Sequence, residues 1–240
     1  MTLDEILGSL FPAGHEVTVE DGILLGGGQI AGIGPIHVIG ISDRKPLGVD
    51  DAARLAGRVI DIARAGDKRP VLLLIDSSSQ RMSRRDELLG LNDYLAHLAK
   101  TLIVAQIQGH RVVALLFGGS AAGAFIATAL AADTLVALPG AHPEVMDLPS
   151  MARVTKLPIE VLQEKAKATP IFAPGLDNLA QTGAVYETWS PDRPLDRQLA
   201  DLLARPPAAD RRDALGAERN GRPKAAAIAA RIADLARAGD

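Results

Sequence analysis

Gly118-Gly119-Ser120, with Gly123 close behind, is the segment whose residue types and position could do chemistry. It follows the apolar run Val112 to Phe117 and precedes the small-residue stretch Ala121 to Ala131. That pattern predicts a buried strand, a tight turn and a helix. Glycines let the backbone turn sharply and leave its N–H groups uncovered. The first N–H groups of a helix lack internal partners and carry partial positive charge. An anion, or a carbonyl oxygen becoming one, is the guest such a turn suits. The other reading is a tight turn with close strand–helix packing, and the turn alone does not choose between them. Gly118 to Ala122 lacks the final glycine of a nucleophile elbow, and no Gly-Lys-Ser/Thr follows for a phosphate loop. Gly26 to Ala31 fits a dinucleotide-type glycine spacing but opens no helix, so it is predicted as a hairpin turn.

A second polar segment, Asp76-Ser77-Ser78-Ser79-Gln80, follows the apolar run Val71 to Ile75. Ligands gather at the carboxyl ends of strands in open α/β sheets, and both segments fall at such ends. Ser77, Ser78, Ser79, Gln80 and Ala121 are therefore candidates for substrate contact, although serines in such runs commonly bond their own turn. Arg81, Arg84 and Arg85 open the next helical pattern. Cations there oppose the helix dipole, so the cluster is a candidate for phosphate or an acidic partner, or a solvated face. His15, His37, His97, His110 and His142 show no metal-binding spacing, and no metal is expected.

These segments need elements to position them. A meander of short strands is predicted from Val17 to Ile41, then a helix over Val49–Ala65 with Leu55, Val59 and Ile62 on one face. Buried strands at Val71–Ile75, Val112–Phe117 and Thr134–Leu138 alternate with helices at Arg84–Gln108 and Ala121–Ala131. Such alternation predicts a parallel sheet with right-handed crossovers. Helices are expected near Pro149–Lys156, Pro158–Ala168 and Pro174–Thr182. Arg205-Pro206-Pro207 reads as a linker to an Ala-rich helix over Lys224–Ala238, so the division is residues 1–204 and 205–240.

Composition limits the functional classes. Aromatics are 3% of the chain and hydrophobic residues 48%, so aliphatic side chains must build the core. A net charge of -3 and nearly absent stacking platforms argue against nucleic acid. No cysteine is present, which excludes disulfides and thiol chemistry and fits a reducing cytoplasm. Met1 to Leu10 carries Asp4 and Glu5 ahead of any basic residue, unlike a signal peptide. Ala121 to Leu138 is interrupted by Thr128, Asp133 and Thr134 and reads as core, not a membrane span.

Four segments carry a resemblance: Ser79 to Gly90, Gly118 to Ala127, Glu144 to Leu157 and Phe172 to Asn178. Together, over about Leu3 to Leu203, they resemble the gamma subunits of biotin-independent malonate decarboxylases. The resemblance implies the crotonase (ClpP-like) superfold, an α/β fold of stacked ββα units, in the form of the carboxyl-terminal half of acyl-CoA carboxyltransferases. It implies that beta and gamma subunits together decarboxylate a malonyl-thioester on an acyl carrier protein to acetyl-thioester and carbon dioxide. The carrier's arm is a phosphoribosyl-dephospho-CoA group, and an alpha subunit of CoA-transferase type completes the complex. Gly118, Gly119 and Ser120 match the carboxyltransferase oxyanion-hole turn, with backbone N–H groups as the donors. The thioester oxygen falls to the beta subunit, leaving this turn the departing carboxylate or a proton-donating water. Biotin is not expected, and no lysine follows Met1, Met82, Met146 or Met151 as it would in a biotin carrier segment. The competing functions are a carboxyltransferase half of a biotin-dependent enzyme and a non-catalytic assembly subunit.

Overall fold

A computed structural model describes residues 1–168, 170, 174–206 and 210–239. Phe172 and Ala173 of the fourth segment, and Pro207 of the expected linker, lie outside these residues. The apolar runs that read as buried strands form the middle of one sheet. Its strands are β1 (Thr18–Glu20), β2 (Ile23–Ile30), β3 (Gly34–Leu47), β4 (Val71–Gln80), β5 (Val112–Leu116), β7 (Thr134–Ala137) and β9 (Glu187–Thr188). They lie side by side in that order, antiparallel from β1 to β3 and parallel from β3 to β9. Alternation along a strand explains why these runs are apolar throughout. Val71, Leu73 and Ile75 enter one core with α2 (Val49–Ala65) and α4 (Leu91–Ile107), whereas Leu72 and Leu74 enter the other with α1 (Leu3–Leu10) and α9 (Leu195–Ala204).

A second, two-stranded parallel sheet pairs β6 (Gly119–Ala121) with β8 (His142–Glu144). Each follows a main-sheet strand and precedes a helix: β5 and β6 lead to α5 (Ala122–Ala127), β7 and β8 to α6 (Leu148–Thr155). This is the stacked ββα arrangement expected from the resemblance.

Several elements differ from the sequence reading. The glycines Gly26 to Gly28 form no hairpin turn; they lie inside β2, where Phe11 packs against the face of Gly28 and leaves no room for a side chain. The helix expected over Arg84–Gln108 is two, α3 (Arg84–Leu88) and α4, because Gly90 adopts φ +83°. The helix expected over Ala121–Ala131 stops at Ala127, and a separate 3₁₀ turn spans Ala129–Ala131. Met1 to Leu10 contains α1, capped by Thr2 and Glu5 in a reciprocal capping box. Beyond Ala168 the described helices are α8 (Leu176–Gln181), α9, α10 (Arg212–Glu218) and α11 (Ala225–Ala238), with α7 (Ile159–Ala168) before them.

The expected boundary at residue 205 is not a break in packing. Arg219, just past α10, donates to the carbonyls of Ala180, Val185 and Tyr186 at 2.7 Å each. Gly183, Gly216 and Gly221 allow the close backbone approach that this return requires. Beyond α10, helix α11 buries no residue.

Candidate functional site

The polar run Asp76 to Gln80 is the last half of β4, not a loop, and it clamps the glycine segment. Asp76 Oδ1 accepts from Gly119 N–H at 2.9 Å, and its Oδ2 accepts from Arg44 N–H at 3.2 Å. Gln80 Oε1 accepts from Gly123 N–H at 2.8 Å. The Ser77 and Ser120 hydroxyls share a hydrogen bond of 2.9 Å and are both buried. Space explains the first glycine: the Asp76 carboxyl occupies the place a side chain on Gly118 would take. A Cβ on Gly119 would come within 3.0 Å of the Ser77 carbonyl oxygen. Strain accompanies the clamp. Ala122 opens α5 at φ +50°, and Asp43 and Arg44, at φ +60° and +52°, form an irregularity in β3 beside Asp76. Left-handed backbone in non-glycine residues is costly and persists where surroundings fix it.

The Gly119 N–H, expected as an oxyanion donor, is taken by Asp76. His142 N–H donates to Gly118 O at 3.0 Å, and Pro143 opposite Ser120 has no N–H. Within the ladder the Ser120 N–H therefore turns toward β8, and those of Gly119 and Ala121 turn the other way. Between the two clamped glycines, Ala121 N–H takes no side-chain acceptor among the described residues. Ser77 and Ser120 hold each other below the surface, Ser79 Oγ bonds the Gln80 carbonyl at 3.0 Å, and Ser78 is half-buried. Gln80 spends its side-chain oxygen on the Gly123 clamp.

The arginine cluster also divides. Arg81 donates to the fully buried Asp86 at 2.7 and 3.0 Å, and its backbone N–H reaches Leu47 O. Asp86 in turn accepts from Val49 N–H at 3.0 Å and from the Ser83 hydroxyl. Gly48 carries no side chain because the Arg81 guanidinium lies where one would be. Arg81, then Ser83, hold the Asp86 carboxyl well below the usual carboxylate range despite its burial. Arg85 forms a two-pronged pair with Asp50 at 2.7 and 3.1 Å. Arg81 and Arg85 therefore tie the starts of α2 and α3 together through their carboxylate partners. Arg84 is exposed and makes no ion pair among the described residues.

Sequence reasoning missed Asp76 as a clamp, Arg44 and Glu144. Glu144 lies in β8 opposite Ala121 in register and is half-buried. Burial, then the nearby Asp147, raise its pKa, while Arg44 and His142 pull the other way. Among the described residues no group of three or more His, Asp or Glu side chains could hold a metal ion, and no helix is long and apolar enough to cross a membrane.

A main sheet, a small second sheet and repeated ββα units, with a glycine segment clamped where they meet, define a crotonase-type fold of the carboxyltransferase kind. Transcarboxylase 12S with hydrolysed methylmalonyl-coenzyme A bound shares it: TM-score 0.68, 16% identity, 84% of this chain and 39% of that one. The family profile described as malonate decarboxylase gamma subunit matches residues 42–236, and the chain belongs to that family. A Pseudomonas malonate decarboxylase MdcD–MdcE hetero-dimer superposes with TM-score 0.74 at 25% identity, covering 97% of this chain and 96% of that one. The malonyl-S-ACP:biotin-protein carboxyltransferase MADD of Malonomonas rubra is 32% identical over 150 residues, 59% of this chain. That match spans 51% of MADD, so the chain corresponds to about half the length of this relative.

Proposed function

We propose that this chain and a beta-type subunit together form a site that decarboxylates a malonyl-thioester on an acyl carrier protein, without biotin. The observation that carries this reading is the gamma-subunit family match, which spans the whole of the clamped segment and β8. The heterodimeric neighbour supports a beta partner, and the malonyl-S-ACP relative supports a carrier-bound malonyl group.

Loss of carbon dioxide leaves an electron pair on the methylene carbon and the thioester oxygen. Catalysis requires donors for that oxygen and a dry pocket for the carboxylate. The beta subunit supplies the thioester oxyanion donors in this reading. The Ala121 N–H, fixed between two clamped glycines, faces the departing carboxylate or the water beside it. Of the three clustered arginines, Arg84 is the one without an ion pair among the described residues, and it meets the phosphates of the carrier's arm or its acidic surface.

MADD acts on a biotin protein, so biotin is the discriminating variable. Decarboxylation by the assembled beta–gamma complex should be unchanged by excess avidin and by omission of any biotinylated protein. Activity that appears only on adding a biotinylated carrier would replace this reading with a biotin-dependent carboxyltransferase half.

A further inference from the structure

Decarboxylation generates a carbanion equivalent that must be protonated, and the nearby carboxyls differ in whether they are free to do it. Asp76 is engaged by two backbone N–H groups, Asp86 by Arg81, Ser83 and Val49, and Asp51 by Gly48 N–H and Lys45. Asp147 caps α6 through Ser150 N–H at 2.7 Å. Glu144 makes no hydrogen bond or ion pair among the described residues, although it is half-buried. Its place is fixed by backbone: β8 holds it in register with Ala121, which lies between the two clamped glycines. The elements packed closely on β8 are β6, α5 and α8, which carry one titratable group between them, Asp177. On β8 itself His142 acts on it, and from elsewhere Asp147 and Arg44 do.

We propose that Glu144 is the proton donor that converts the enolate into the acetyl group, an inference that rests on the decarboxylase reading above. The C–C bond to the carboxylate breaks and carbon dioxide leaves. Its electron pair is held as the thioester enolate until the methylene carbon takes the Glu144 proton. A C–H bond forms, the carboxyl O–H breaks, and solvent returns a proton to the carboxylate. Burial favours the protonated form that the step requires, and Asp147 adds to it.

The test uses the beta–gamma complex, with malonyl-thioester turnover and, separately, exchange of acetyl-thioester methyl protons in D2O. Exchange is the proton step in reverse and needs no carbon dioxide. Glu144→Gln, with assembly checked by size exclusion, should lower both rates by roughly 100-fold or more and remove the fall in turnover as pH rises. Glu144→Asp should restore part of both. A Glu144→Gln complex that keeps turnover, exchange and the alkaline fall would overturn the assignment. The unmodified complex gives a second reading that does not depend on a variant: exchange should rise with pH as one carboxyl ionises. An exchange rate flat from about pH 4 to 8, across the range of perturbed carboxyls, would also overturn it. An unmodified complex that exchanges methyl protons but releases no carbon dioxide would instead remove the decarboxylase reading and this proposal with it.

Discussion

Asp86→Ala is expected to lower the melting temperature of this chain by roughly 10 °C. The side chain is fully buried and accepts from Arg81, Ser83 and Val49 N–H, so it joins the start of α3 to the start of α2. Removing one partner of a buried ion pair leaves the other uncompensated, at a cost of roughly 3–5 kcal/mol. Arg81 keeps Asp50 at 3.6 Å and Asp51 at 3.9 Å, which places the effect at the lower end, about 3 kcal/mol. In a domain of this size each kcal/mol moves the midpoint by about 2–4 °C. Asp86 has a depressed pKa in the folded chain, so its contribution is complete above the ordinary aspartate value. It falls away as pH drops from there toward the lowered folded value. Thermal melts of both proteins should therefore differ most at neutral pH and converge in acid. Equal midpoints at pH 7 would show that the pair does not hold α2 to α3.

Gly118→Val is expected to reduce decarboxylation by the beta–gamma complex by roughly 100-fold or more, the scale of losing one oxyanion donor. Gly118 does not have left-handed backbone, so the argument is one of space. The new side chain would occupy the position of the Asp76 carboxyl and push it off Gly119 N–H and Arg44 N–H. The Ala121 donor would then lose one of its two flanking clamps. Asp76→Ala removes the same clamp from the other side, so the double variant should be little worse than either single one. Additive losses would mean that the two residues act separately and that the clamp does not organise the site.

Parts of the fold were legible because burial on both faces leaves a strong pattern. Val71 to Ile75 and Val112 to Leu116 serve two cores in alternation, so every position is apolar. The Val49–Ala65 helix was legible from its single apolar face, with Leu55, Val59 and Ile62 buried together. The strand character of Ser77 to Gln80 was not legible, since these residues face polar partners and look like a turn. β6 and β8 are three residues each, too short to show a period. The glycine segment stood out by composition, but its clamp depends on Asp76 and Gln80 reaching across from β4. Glu144 became a candidate only through its register with Ala121, which no local pattern encodes. The carboxylate partners of Arg81 and Arg85 were not legible, because Asp50, Asp51 and Asp86 are brought to them by packing the start of α2 against the start of α3.

A site shared between this chain and a beta subunit requires both for carbon dioxide release from a malonyl-thioester carrier protein. The purified chain should release none above background, the purified beta subunit likewise, and their stoichiometric mixture should turn over. Full turnover by this chain alone, or by beta alone at the rate of the mixture, would contradict it.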